Sequence, residues 1–194
     1  MEKIIESIRN PSDYDSRVMK SGKSGGFIQG YNCQAAVDAG SQIILAVQVS
    51  SQTNDKGLIR PMIKKVIENL DGKTPKFFTC DNGYYSERDI VWIEKKNIDP
   101  YIPPSKKDNG KRFINTVDGV MTITDFMRAK LTSEAGRSIY KKRKTIAEPV
   151  FGQPKNVRGF RNFLTRGLKK VNAEWQLISL AHNIGKLHHF GYQP

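Results

Sequence analysis

Apolar residues in this chain switch between two spacings, and the order of the switches restricts the fold more than any other property. Phe27 to Ala39 and Gln42 to Ser50 are strand-like, the second carrying the run Ile43-Ile44-Leu45-Ala46-Val47. Gly40-Ser41 between them predicts a two-residue hairpin. Leu58, Ile59, Met62, Ile63, Val66, Ile67 and Leu70 then recur at helical spacing, with Asn54 or Asp55 as the cap and Gly72 as a left-handed stop. Phe77-Phe78-Thr79-Cys80 is a short strand ending on Asp81; Asn82-Gly83 turns the chain, and Ser86-Glu87 opens a second helix. A strand over Asp99 to Pro103 follows. From Ile123 the pattern is helical, interrupted at Pro149, Gly152, Pro154 and Gly159. The last helix, about Asn172 to His189, is expected to carry Trp175, Leu177, Ile178, Ala181, Ile184 and Leu187 on one stripe. This order predicts an α/β fold with a mixed sheet.

Residues 1–26 read as a helix and loop leading in, 27–194 as one domain, and 105–122 as a polar loop or small insertion. The run Ser21-Gly22-Lys23-Ser24-Gly25-Gly26 lacks the spacing of a phosphate-binding loop and reads as a hairpin connection or a flexible lead-in. No apolar run approaches the roughly 18–20 residues that cross a bilayer, and Met1 to Asn10 has no signal-peptide core. A cytoplasmic protein without a membrane partner is expected. Cys33 and Cys80 sit singly in apolar runs and predict buried free thiols. His182, His188 and His189 lack cysteine partners, which argues against zinc.

Composition matters most through charge. The chain of 194 residues has a net charge of +13. Thirteen Lys and Arg residues fall between Arg128 and Lys170 against Glu134 and Glu148 alone, so this window holds nearly all of the excess. A solubilising face normally mixes both signs. The concentration predicts a polyanionic partner, with nucleic acid the usual one.

Two acids stand out. Asp81 ends a strand immediately before Asn-Gly, where active sites of open α/β sheets gather; the same tripeptide is also good chemistry for a plain Asx turn. Glu148 is nearly alone among bases, and it fits either a local salt bridge to Lys144 or Arg143 or a carboxylate that grips a cation near phosphate.

The stretch from Tyr140 through Arg143 and Glu148 to Lys155 resembles the C-terminal signature of bacterial insertion-sequence transposases of the DDE type. That signature places a Tyr, an Arg, the catalytic Glu and a Lys on one helix. Four residues separate Arg143 from Glu148 here, where the usual pattern has three. Other segments resemble the same family in the same order: Asp13 to Lys20, Gly30 to Asp38, Cys80 to Glu87, Phe160 to Gly167, and Glu174-Trp175 followed by Ala181-His182-Asn183.

The resemblance implies an RNase H-like mixed sheet flanked by helices, with a basic helical C-terminal part. Asp81 and Glu148 would be two of the three acidic ligands that hold Mg²⁺ or Mn²⁺ for phosphodiester hydrolysis and then strand transfer. Tyr140, Lys142, Arg143, Lys155, Arg158 and Arg161 would contact DNA, at transposon ends and target. The family's first Asp, on the first central strand, lies upstream of the segment that resembles Asp13 to Lys20, and that strand is expected to be missing here. Asp38, at a strand end, is the substitute candidate. Two neighbours of a lost strand would carry unpaired edges, so pairing with another copy or with an N-terminal transposase fragment is expected. The competing readings are a truncated remnant that binds bacterial nucleoid DNA without cutting it, and an RNA-binding or ribonuclease domain.

Overall fold

A computed structural model describes residues 9–20, 26–116, 119–157 and 159–191. The helix expected at the start of the chain and the run Ser21 to Gly25 lie outside them. In chain order the strands and helices are β1 (Arg17–Lys20), β2 (Phe27–Gly30), β3 (Asn32–Val37), β4 (Ile44–Ser50), α1 (Ile59–Asn69), β5 (Phe77–Thr79), α2 (Glu87–Glu94), β6 (Asp99–Tyr101), β7 (Phe113–Thr116), β8 (Gly119–Thr122), α3 (Ile123–Thr132), α4 (Glu134–Gly152) and α5 (Leu168–His189). The fold is α/β, as the spacing predicts. Among the described residues the strands form four two-stranded sheets; only β5 and β6 run parallel. Two compact units result, Met1–Asn54 with Ala147–Pro194, and Asp55–Ile146.

The first unit is built on the β3–β4 hairpin. Its connection is longer than the two residues expected. Asp38 takes the place of a strand partner there: its Oδ2 accepts the N–H groups of Gly40 and Ser41 and the Ser41 hydroxyl, while Gln42 adopts a left-handed φ of 59°. β1 and β2 pair as a second hairpin on either side of the run expected as a hairpin connection or lead-in; only β1 falls where a loop is expected, and the strand expected from Phe27 to Ala39 divides at Tyr31. Val49, Val171, Trp175 and Ile178 form the core, with Phe151 stacked on Trp175 at 5.7 Å between centroids.

Helix α5 is apolar on two faces, and this corrects the single stripe expected. Val171, Trp175, Ile178, Ser179 and His182 are buried, whereas Leu177, Leu180, Ile184 and Leu187 are exposed. Neighbours two apart on a helix differ by about 200° in direction, so Trp175 and Leu177 point to opposite faces.

Helix α5 is tied to the β-hairpin by side-chain amides. Asn183 accepts the Ile44 N–H at 2.8 Å and donates to the Ile44 carbonyl at 2.9 Å, pairing that residue as a neighbouring strand would. Asn172 accepts the Val49 N–H at 3.1 Å, and the Trp175 indole donates to the Gln34 carbonyl at 3.0 Å. From Asn172 to Asn183 a helix rises about 16 Å, at roughly 1.5 Å per residue. From Ile44 to Val49 a strand covers about the same distance, at roughly 3.3 Å per residue. The two periods match. Buried backbone groups left without partners cost about 1–3 kcal/mol, so Asn183→Ala is expected to lower stability by that much in urea unfolding.

The N-terminus of α5 is held by two acids far away in sequence. Asp15 accepts the Leu168 N–H at 2.8 Å, and Asp13 accepts the Gly167 N–H at 3.0 Å and the Tyr31 hydroxyl at 2.6 Å. Negative charge here satisfies orphan donors and complements the helix dipole. Glu174 likewise accepts the N–H groups of Leu164 and Thr165 and the Thr165 hydroxyl.

The second unit is an isoleucine-rich core beneath β5 and β6: Ile59, Ile63, Ile90, Ile93, Ile98, Ile102 and Ile123, with Tyr85 and Met127. Helix α1 ends as predicted, with Gly72 at φ 83° and its N–H returned to the Ile67 carbonyl. The segment expected as loop or insertion holds the β7–β8 hairpin, whose connecting residues 117–118 lie outside the described ones. Its base is pinned by Glu87, which accepts the N–H groups of Lys111 and Arg112 and the Thr124 hydroxyl. The Thr122 hydroxyl caps α3 by accepting the Asp125 N–H.

Candidate active site

Strand β5 is too short to bury a face of its own, but its parallel pairing with β6 fixes where it ends. The strand stops at Thr79, Cys80 turns inward, and Asp81 stands exposed with its backbone extended. Burial pushes the Cys80 thiol up, consistent with a packing residue. Asn82 to Tyr84 close into one turn of 3₁₀ helix, with the Tyr84 N–H donating to the Asp81 carbonyl. Space at Gly83 is tight: a Cβ there would lie 3.0 Å from Asp55 Oδ2, and the Asp55 side chain would have to give way.

The turn presents the Asp81 carboxylate to Arg143 on α4. Nη2 of Arg143 lies 2.8 Å from Oδ1, and the Asp81 side chain keeps 55% of its exposure while that of Arg143 keeps 19%. Arg143 also lies over the Tyr140 ring at 5.5 Å. Burial pushes the Tyr140 hydroxyl above its ordinary range, an effect the Arg143 charge opposes. The Nε of Arg143 is buried and has no hydrogen-bond partner among the described residues. Asp81, Tyr140 and Arg143 thus form one cluster in the second unit, two of them from the helical signature and one from the strand end.

The remaining candidates are placed separately. Lys142 is exposed on α4 in the same unit. Glu148 is exposed on the last turns of α4, within the first unit; the ion pairs among the described residues do not include it, and Arg143 pairs with Asp81 instead. Lys155 lies exposed in the π-helical turn Gln153–Val157, and Arg161 is exposed beyond it. Arg158 lies outside the described residues. Asp38 spends Oδ2 on its own turn. Burial raises its carboxyl, but the Ser41 hydroxyl and the Ser41 and Gly40 N–H groups outweigh that and bring it below the ordinary range.

Carboxylate oxygens suit a hard divalent cation, and Asp81 already holds a cationic partner in the Arg143 guanidinium. No group of three or more His, Cys, Asp or Glu is gathered for a metal among the described residues. Cys33, pushed by burial to about 12, and Cys80 are free thiols, as expected. No helix among the described residues is long and apolar enough to cross a membrane.

Several residues that resemble family motifs turn out to hold the fold together. Asp13, Asp15, Trp175 and Asn183 bond residues more than a hundred positions away, Glu87 reaches Thr124, and Glu174 closes a shorter loop to Leu164. A pairing over more than a hundred positions leaves no local pattern to read. The family model described as "Transposase DDE domain" matches residues 7–184. No curated protein and no solved structure matched the chain.

Proposed function

Since this chain belongs to the transposase DDE domain family, we propose that it acts in DNA transposition by metal-dependent phosphodiester hydrolysis followed by strand transfer. The observation that carries the reading is the Asp81 carboxylate at the end of β5, exposed and engaged by a cation from the signature helix. Asp81, Glu148 and Asp38 would each offer carboxylate oxygens to Mg²⁺ or Mn²⁺. A divalent cation at these oxygens would supply charge neutralisation at the reacting phosphate and polarise the attacking oxygen. An RNase H-like sheet completed by a further strand, from another copy or from an N-terminal fragment, is part of this proposal, as is action on nucleoid DNA in the bacterial cytoplasm.

The chain's own residues bind and orient. Tyr140 backs Arg143, and Lys142, Lys155, Arg158 and Arg161 supply phosphate contacts, which set affinity and register more than sequence choice. Each phosphate neutralised on duplex DNA releases counterions and contributes about 0.9 to the slope of log affinity against log salt. Lys155→Ala and Arg161→Ala are each expected to lower that slope by about one unit, measured by fluorescence anisotropy over a salt series. An unchanged slope for both removes these two from the interface.

The second reading, DNA binding without cleavage, draws on the basic window between Arg128 and Lys170. Supercoiled plasmid with Mg²⁺ or Mn²⁺ separates the two: nicking supports the first, and salt-sensitive binding without nicking the second. Competition between duplex DNA and RNA tests the ribonuclease alternative.

A further inference from the structure

We propose that helix α5 pairs with the same helix of a second copy of this chain, through the apolar face that the first unit leaves uncovered. Val171, Trp175 and Ile178 are buried in that unit, whereas Leu177, Leu180, Ile184 and Leu187 on the opposite side keep 66%, 55%, 58% and 42% of their exposure. Their spacing of three, four and three sets them in one row, and it is the spacing by which one helix packs along another. Together these side chains expose roughly 450 Å², a size at which an apolar patch on a monomer is often functional. With the exposed Ala173, Gln176, Ala181 and His188 beside them, a two-fold pair covers about 1,200 Å² over both copies, the lower end of stable interfaces.

Charge selects the occupant. With a net charge of +13, most of the chain's surface repels another copy. From Val171 to Leu187 the charged residues are Glu174 and Lys186, and both are engaged inside the first unit. Glu174 accepts the N–H groups of Leu164 and Thr165, and Lys186 donates to the Gln42 side chain. The apolar row thus runs for about four turns without Lys, Arg, Asp or Glu, and it can meet itself without setting like charges together. A membrane surface or DNA calls for Lys or Arg along the edges of such a row, and from Ala173 to Leu187 those edges have none. Run antiparallel, two such helices also keep Lys169 and Lys170 at opposite ends. Trp175, Asn172 and Asn183 already fix the other face of α5, so pairing orders little further. This surface is independent of Asp81 and of any strand added to a sheet.

Sedimentation equilibrium of the whole purified chain, stripped of nucleic acid, tests the pair. A dimer is expected, with a dissociation constant on the order of micromolar. It should tighten as NaCl rises from about 0.15 to 0.5 M, because salt screens the repulsion between two positive chains. Association through residual nucleic acid would weaken instead. Leu180→Glu sets a charge against its own copy in an apolar contact and is expected to weaken the dimer at least about 100-fold. Ile184→Glu, one turn along, is expected to do the same. Leu180→Met keeps an apolar side chain of similar volume and should stay within about 10-fold of the original. Both positions are exposed in a single copy, so the urea midpoints of these variants, read on dilute monomer, should scarcely move. A chain still monomeric at about 100 μM overturns the proposal. So does a dimer that Leu180→Glu and Ile184→Glu both leave intact. A monomer that binds neutral lipid vesicles, and loses them in Leu180→Glu, gives the face to a membrane and overturns it as well.

Discussion

Asp81→Asn, assayed on supercoiled plasmid with Mg²⁺ or Mn²⁺, is expected to slow nicking by at least about 1000-fold, or about 4 kcal/mol in the barrier. The amide keeps the shape of the side chain and removes the negative charge that attracts the cation. Glu148→Gln is expected to lose as much. Groups that act as a unit are not additive, so the double variant should be no slower than either single one. The Asp81 side chain is half exposed while that of Arg143 keeps 19% of its exposure, and in Asp81→Asn the amide oxygen can still accept from the guanidinium. With that bond kept, the urea midpoint of Asp81→Asn should move little. Loss of nicking with an intact midpoint separates chemistry from folding. Nicking that survives both changes would sink the assignment of both carboxylates.

Trp175→Ala is expected to produce the largest loss of stability, about 3–5 kcal/mol from the cavity and lost transfer energy. The indole is buried, stacks on Phe151, and donates to the Gln34 carbonyl in the middle of β3. Truncation therefore empties the core of the first unit and leaves a strand carbonyl without its donor. Trp175→Phe keeps most of the stacking area and should recover more than half of the loss. Urea unfolding followed by far-ultraviolet dichroism reads both. A Trp175→Ala chain within about 1 kcal/mol of the original would mean that this core does not hold the unit together.

What could be read in the sequence followed from local spacing. Helix α1, the β3–β4 hairpin, strand β5 and the position of Asp81 at its end all declare themselves within ten residues or so. Strand β1 did not, because four residues with a base at each end carry little alternation, and its partner β2 lies beyond an intervening loop. On α5 apolar residues lie on both faces, and composition does not say which of them is covered. At the site, Asp-Asn-Gly marks Asp81, whereas the sequence leaves Arg143 as one of two possible partners of Glu148 or as a DNA contact. Arg143 reaches instead to position 81, a choice made by the tertiary fold.

The matching of helix and strand along Asn172–Asn183 and Ile44–Val49 works like a ruler with two scales. A single residue added or removed between either pair of marks shifts one scale against the other, and one of the amide bonds is lost with it. Length in these two stretches is thus fixed to the residue, in a chain whose connecting segments impose no such count. Drift among related sequences should accumulate as insertions before Leu168 and almost never inside the ruler.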